Sequence, residues 1–196
     1  MNLDMLSVSG HKINAPKGVG FLYIKKGIKI NPIIFGGGQE NGLRSGTENT
    51  AGIIGLSVAL DIYRDEKKVR ILRDKLLEKI LNIKGSRING SRDKRIWNNI
   101  NVSFFGIEGE SLALLLDKEG ICVSTGSACS SHKLEESYVL SSIGVPSLYI
   151  HGSIRLTLDT INILKENEIN FIADKIKKSV EKLREMSPFK LEGENN

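Results

Sequence analysis

The sequence predicts an α/β fold, and three observations carry that prediction. Val-Gly-Phe-Leu-Tyr-Ile at 19–24 gathers β-branched and aromatic residues behind a glycine turn, the mark of a strand. Ile53, Ile54, Leu56, Ala59, Leu60 and Tyr63 recur at helical spacing. Ile169, Ile172, Ala173, Ile176, Val180 and Leu183 fall on one face of an amphipathic helix over 168–184. Strands and helices mixed along one chain give an α/β or α+β class.

The elements follow in order. After the strand at 19–24, residues 28–35 read as a second extended stretch, broken at Pro32, which has no N–H for a ladder. Gly36, Gly37 and Gly38 make a flexible break. A helix is expected over 49–65 and another over 67–81. Residues 86–95 are polar and turn-like, and 99–105 alternate as a strand does. Residues 110–116 suit a short apolar helix. Residues 123–131, Val-Ser-Thr-Gly-Ser-Ala-Cys-Ser-Ser, are almost all small, which is loop material. A short helix over 134–143 is ended by Gly144 and Pro146. Residues 154–158 form a strand, and the polar tail from Ser187 is expected to fray.

The 196 residues suffice for one large or two small domains, and 40% hydrophobic with 26% charged residues is ordinary globular composition. The net charge of +5 is spread without a long basic run, which argues against a nucleic-acid binder and leaves room for an acidic protein partner or an anionic cofactor. Cys122 and Cys129 form no CxxC pair, so neither a zinc site nor a disulfide framework is expected. No signal peptide or membrane-length apolar run is present, and a cytoplasmic protein without membrane association is expected.

Four groups of residues invite chemistry. In Ser9-Gly10-His11-Lys12, hydroxyl and imidazole could bind phosphate oxygens while the lysine forms a Schiff base with an aldehyde cofactor. An exposed loop pair at His11 and Lys12 explains the same residues. Arg44, Ser45 and Thr47 around Gly46 precede a helix, where free amides attract anions; a cap at Thr47 or Asn49 with a solvated arginine is the alternative. Cys129 has no apolar neighbours, as suits a nucleophile on a mobile loop, and His132 and Lys133 would lower its pKa. An incidental free thiol remains open. Cys122, between Ile121 and Val123, reads as a packed strand residue. Arg155, flanked by Ile154 and Leu156, lies on the polar face of its strand, ready for a carboxylate or for a surface salt bridge.

Together "SGHKINAPKGVGFLY", "GGGQENGLRSGTEN", "NNINVSFFGIEGESLALLLD", "STGSACSS", "LEESYVL" and "HGSIRLTL" resemble the cysteine desulfurases that supply sulfur for iron–sulfur clusters. The resemblance runs from about Leu6 to Leu183. It implies an aspartate-aminotransferase-type fold (pyridoxal-phosphate fold type I), present as its C-terminal portion: a large-domain remnant over 1–50, then a linking helix and small α/β domain over 51–196 with a mobile cysteine loop. By this resemblance Lys12 carries pyridoxal 5'-phosphate, and Ser9 and His11 hold its phosphate. Thr47 does so from the partner subunit of a homodimer. Cys129 accepts sulfur from L-cysteine as a persulfide, and Arg155 holds the substrate carboxylate.

The family has a further upstream portion of roughly equal length, bearing the ring-stacking histidine, the aspartate at the ring nitrogen and a glutamine near the ring oxygen. None of these can be assigned in this chain. Asn14-Ala15 stands in place of a Tyr-Gly-like pair, Trp97 in place of a proline, and Asp159 in place of a glycine. Two expectations follow: a pyridoxal-phosphate-dependent cysteine desulfurase, or half of one that a separate N-terminal chain completes and that is inactive alone; or a non-catalytic fragment or interaction module that binds an iron–sulfur scaffold or another sulfur acceptor.

Overall fold

The computed structural model describes residues 2–62, 64–125 and 136–191. The chain forms two compact units, Met1–Tyr63 and Arg64–Asn196. The division therefore falls after residue 63, where the sequence reading placed it at 50. The cause is helix α1 (Thr50–Asp61), which buries Leu56 and Ala59 against Ala15 of the first unit.

The first unit opens with β1 (Met5–Ser9), antiparallel to β2 (Gly20–Ile24); Met5 lies opposite Ile24 and Ser9 opposite Gly20. β1 is not foreseen in the sequence, since its five residues carry too little alternation to mark a strand. Between the strands, Gly10–Ile13 make one turn of 3-10 helix. Asn49 caps α1, its side chain accepting from Gly52 N–H at 3.0 Å. Residues 28–35 form no strand. Pro32 lacks the donor, and the carbonyl of Ile34 instead accepts from Ser45 N–H at 3.5 Å. Little of this unit is buried. Ile13 and Val19 pack beside Ala15, Leu56 and Ala59, while Met5, Leu6, Phe21, Leu22 and Tyr23 of the sheet remain exposed.

In the second unit, α2 (Glu66–Leu81) starts at Asp65, whose carboxylate accepts from Lys68 N–H at 3.0 Å. β4 (Asn99–Phe104) is the central strand of an antiparallel sheet, between β3 (Ser86–Ile88) and β5 (Ser153–Thr157). Alternation puts Ile100, Val102 and Phe104 of β4 and Ile154 and Leu156 of β5 on one buried face. The stripes of α2, α3 (Gly109–Asp117) and α6 (Glu166–Glu185) close over that face, with Leu77, Ile80, Leu112, Leu116, Ile169 and Ile176 all fully buried. Two short helices, α4 (Tyr138–Ser142) and α5 (Ser147–Ile150), precede β5.

Two expectations change here. β3 occupies a stretch read as turn, because a three-residue strand with one apolar side chain leaves no periodic signal. Residues 187–191 do not fray away: Ser187 Oγ donates to the carbonyl of Gly106 at 2.5 Å and accepts from Phe189 N–H at 3.1 Å. Gly106 has φ +68°, and a Cβ there would stand 3.0 Å from Phe189 Cβ, so this turn admits the tail only as glycine. Among the described residues, no helix is long and apolar enough to cross a membrane.

Candidate active site

Ser9 ends β1 and precedes the 3-10 turn with φ −92° and ψ 118°; its side chain makes no capping hydrogen bond. Gly10 is buried and donates its N–H to the carbonyl of Val19 at 2.9 Å. A Cβ at Gly10 would come within 2.8 Å of that oxygen and 3.1 Å of Ala15 Cβ. Glycine is required here by close approach of backbone, not by a left-handed φ. The turn ends at Asn14, with φ 69°, a conformation asparagine tolerates better than most residues. Ala15 N–H returns to the carbonyl of Gly10 at 3.1 Å, and Ala15 is buried against α1. One tight turn thus presents Ser9, His11 and Lys12, all three exposed. The structure places Lys12 at the surface of the turn, because the turn directs Gly10 and Ala15 inward instead.

The loop before α1 is organised differently from the anion site expected of Arg44, Ser45 and Thr47. Ser45 is buried and its hydroxyl donates to the carbonyl of Gly37 at 2.8 Å. Arg44 folds back onto the carbonyl of Ser45. Gly46 N–H is taken by Gln39 Oε1 at 3.2 Å. Asn49, and not Thr47, caps the helix, and Thr47 stays exposed. Thus Arg44 and Ser45 are used to hold the loop together, while Thr47 is exposed.

In the second unit Arg155 is exposed at the centre of β5, paired across the ladder with Asn101, while Ile154 and Leu156 are buried. Its other backbone edge holds Ser124. Arg155 N–H donates to the carbonyl of Ser124 at 2.7 Å, and Ser124 N–H donates to the carbonyl of Arg155 at 3.0 Å. The chain leading to Cys129 is therefore fastened to the strand of Arg155. Cys129, His132 and Lys133 themselves lie outside the described residues. Sequence reasoning missed Ser124, because a backbone bridge leaves no side-chain pattern.

Cys122 is exposed, contrary to the packed residue expected. Ile121 turns into the core and Cys122 points the other way, where its backbone belongs to no strand. It lines a cavity of about 320 Å³ with Leu76, Leu158, Leu164 and Ile172.

The hydroxyl of Ser9, the imidazole of His11 and the amine of Lys12, exposed together on one turn, are by their chemistry a donor set suited to a phosphorylated aldehyde, and Thr47 is a further exposed hydroxyl residue. The residues present thus fit pyridoxal phosphate.

A family model described as "Aminotransferase class-V" matches residues 1–168. Cysteine desulfurase IscS of Methanosarcina thermophila is 47% identical over 193 residues, covering 96% of this chain and 47% of the relative. Among solved structures, a NifS-like protein superposes with TM-score 0.79 at 37% identity, over 93% of this chain and 47% of that one. A second, SspA in complex with cysteine, gives TM-score 0.64 at 34% identity, over 81% and 45%. The chain spans about half the length of the curated relatives it matches.

Proposed function

Because the chain belongs to the class-V aminotransferase family, we propose that it is the lysine- and cysteine-bearing part of a pyridoxal-phosphate-dependent cysteine desulfurase, which passes sulfur from L-cysteine towards iron–sulfur cluster assembly. The observation that carries this reading is the tight turn at Gly10, which presents Ser9, His11 and Lys12 together at the surface. The names of the relatives, and the cysteine bound to the SspA structure, support the choice of substrate.

Ser9 and His11 would hold the phosphate by hydrogen bonds, with Thr47 contributed by a second copy of the chain in a homodimer. Pyridoxal phosphate, when bound, supplies the aldehyde that condenses with Lys12 and a conjugated ring that accepts electron density from the substrate. Once displaced by substrate, Lys12 Nζ is a free amine that can carry the proton from Cα. Arg155 takes the substrate carboxylate in its guanidinium fork and fixes the orientation of the C–S bond. The Cys129 thiolate then attacks the substrate sulfur. An S–S bond forms, the C–S bond breaks, and its electron pair passes to the substrate Cβ, which is protonated as alanine leaves. The persulfide on Cys129 is handed to a scaffold or other acceptor protein. The Ser124–Arg155 bridge supports this division of labour, since it roots the segment bearing the thiol beside the group that holds the carboxylate.

The test is spectroscopic and chemical. Mixed with pyridoxal phosphate, the protein should develop a visible absorption band that Lys12→Ala removes. It should release alanine from cysteine, and Cys129→Ala should abolish that release while keeping the band. Absence of the band in a folded chain refutes independent desulfurase activity. A second reading then takes over, favoured by the exposed apolar side chains of the first unit: the chain works only with a complementary polypeptide, or serves as a sulfur-carrying interaction module.

A further inference from the structure

We propose that the second unit holds a small-oxyanion site, for phosphate or a carboxylate, built on the buried guanidinium of Arg73. Arg73 sits within the apolar stripe of α2, among Val69, Leu72, Leu76, Leu77 and Ile80, and its side chain is 3% exposed. A charge in that position is costly unless it is paired and hydrogen-bonded. Arg73 is paired but not hydrogen-bonded. Asp74 Oδ1 lies 2.7 Å from its Nε, yet neither Nε nor Nη1 has a hydrogen-bond partner among the described residues. The contact is an ion pair out of line with the N–H directions, so the planar fork still lacks acceptors.

Arg73 borders a cleft of about 190 Å³ whose remaining walls are Arg70, Asp74, Glu78, Arg92 and Asp93. Two of the three carboxylates are already engaged: Asp74 with Arg73, and Glu78 with Arg92 at 2.9 Å. Arg70 is exposed and makes no hydrogen bond or ion pair among the described residues. Within electrostatic reach of Arg73, the half-buried Arg95 has its pKa held below the ordinary guanidinium value, first by burial and then by the charge of Arg73. The cleft thus brings together three guanidinium groups, Arg70, Arg73 and Arg92, with two of the three carboxylates already engaged. Planar guanidinium forks match the oxygens of phosphate and carboxylate alike, and this volume suits an ion of that size. The site lies in the second unit and involves none of the residues assigned to pyridoxal phosphate.

The experiment is calorimetric titration of the 196-residue chain with sodium phosphate, and separately with sodium acetate, at constant ionic strength set with chloride. At least one of the two should bind saturably, and the tighter of them identifies the oxyanion class. Arg70→Ala alters an exposed, unpartnered side chain and should weaken binding about tenfold. Arg73→Lys, which keeps the charge but removes the fork, should weaken it at least as much. Arg70 and Arg73 belong to none of the groups assigned to the cofactor, so a loss in either variant reports this site and not a cofactor-phosphate site in the first unit. Binding by neither anion, or binding unaffected by Arg70→Ala, overturns the proposal. Should Arg73→Lys fail to fold by circular dichroism, the Arg70 variant decides alone.

Discussion

At position 10 the chain allows nothing larger than hydrogen. The Gly10→Ala methyl would stand 2.8 Å from the carbonyl of Val19, and that oxygen is held by the bond it accepts from residue 10 itself. The substitution should destabilise the first unit by about 1–3 kcal/mol, the usual cost of overpacking. It should also weaken pyridoxal-phosphate binding, because the turn that groups Ser9, His11 and Lys12 must open. Thermal melting and cofactor titration of the variant read both effects. Asp159 acts in a different way. Its carboxylate accepts from the N–H groups of Thr160 and Ile161 at 2.6 and 3.0 Å and from Asn162 Nδ2 at 3.0 Å, and so builds the turn after β5. Hydrogen bonding from Ile161 N–H is the largest cause holding its pKa below the ordinary value of 3.8; burial opposes it, and the bonds from Asn162 and Thr160 add to the lowering. The unfolded chain therefore binds the proton more readily than the folded one. The stabilisation is complete above about pH 4 and is lost as pH falls through the lowered value. Asp159→Asn should cost about 1 kcal/mol at neutral pH, and the gap from wild type should close in acid. Urea titrations at a series of pH values would check this.

Among elements, the edge strand β3 depends on Asn89. That side chain is 3% exposed, and its Nδ2 donates to Asn101 Oδ1 and to Ser103 Oγ, both at 2.7 Å, while its N–H donates to the carbonyl of Asn101 at 2.9 Å. Asn89→Ala would leave two partners on β4 short of a donor in a buried setting, at a cost of about 2 kcal/mol, measurable as a lower urea midpoint. The same elements show what a sequence reveals. Helices α2, α3 and α6 and strands β4 and β5 are legible because each carries a one-sided apolar pattern: Val69, Leu72 and Leu76 along α2, or Ile100, Val102 and Phe104 along β4. β1 and β3 are too short to show one. Residues 28–35 are apolar without being paired, so composition there misleads. The Lys12 turn is legible from its small residues. The Ser124–Arg155 bridge is not, because it is made wholly of backbone. Cys122 misleads by its neighbours, since Ile121 takes the core position.

The two units differ sharply as apolar cores, and this difference sets how the molecule should respond to solvent. In the second unit, buried side chains from α2, α3, α6 and all three sheet strands, or packed closely against them, form one continuous cluster. In the first, the buried apolar cluster is Ala15, Leu56 and Ala59, while Phe21, Leu22, Tyr23, Ile53, Ile54 and Val58 stay exposed. A two-stranded sheet has too little buried area to be stable alone. Backbone protection against hydrogen exchange follows local burial and packing. Amides of β4, β5 and α6 should therefore exchange slowly, near the rate of global unfolding. Those of β1, β2 and α1 should exchange orders of magnitude faster, and this unit should bind a hydrophobic dye. Exchange followed by mass spectrometry on peptides from each unit tests the contrast. A polypeptide that covers these exposed side chains should slow exchange in β1 and β2 and displace the dye, while the rates in β4 stay unchanged. Equal protection of both units in the chain alone would mean that the first unit draws stability from something other than burial, and the case for a complementary polypeptide would lose its footing.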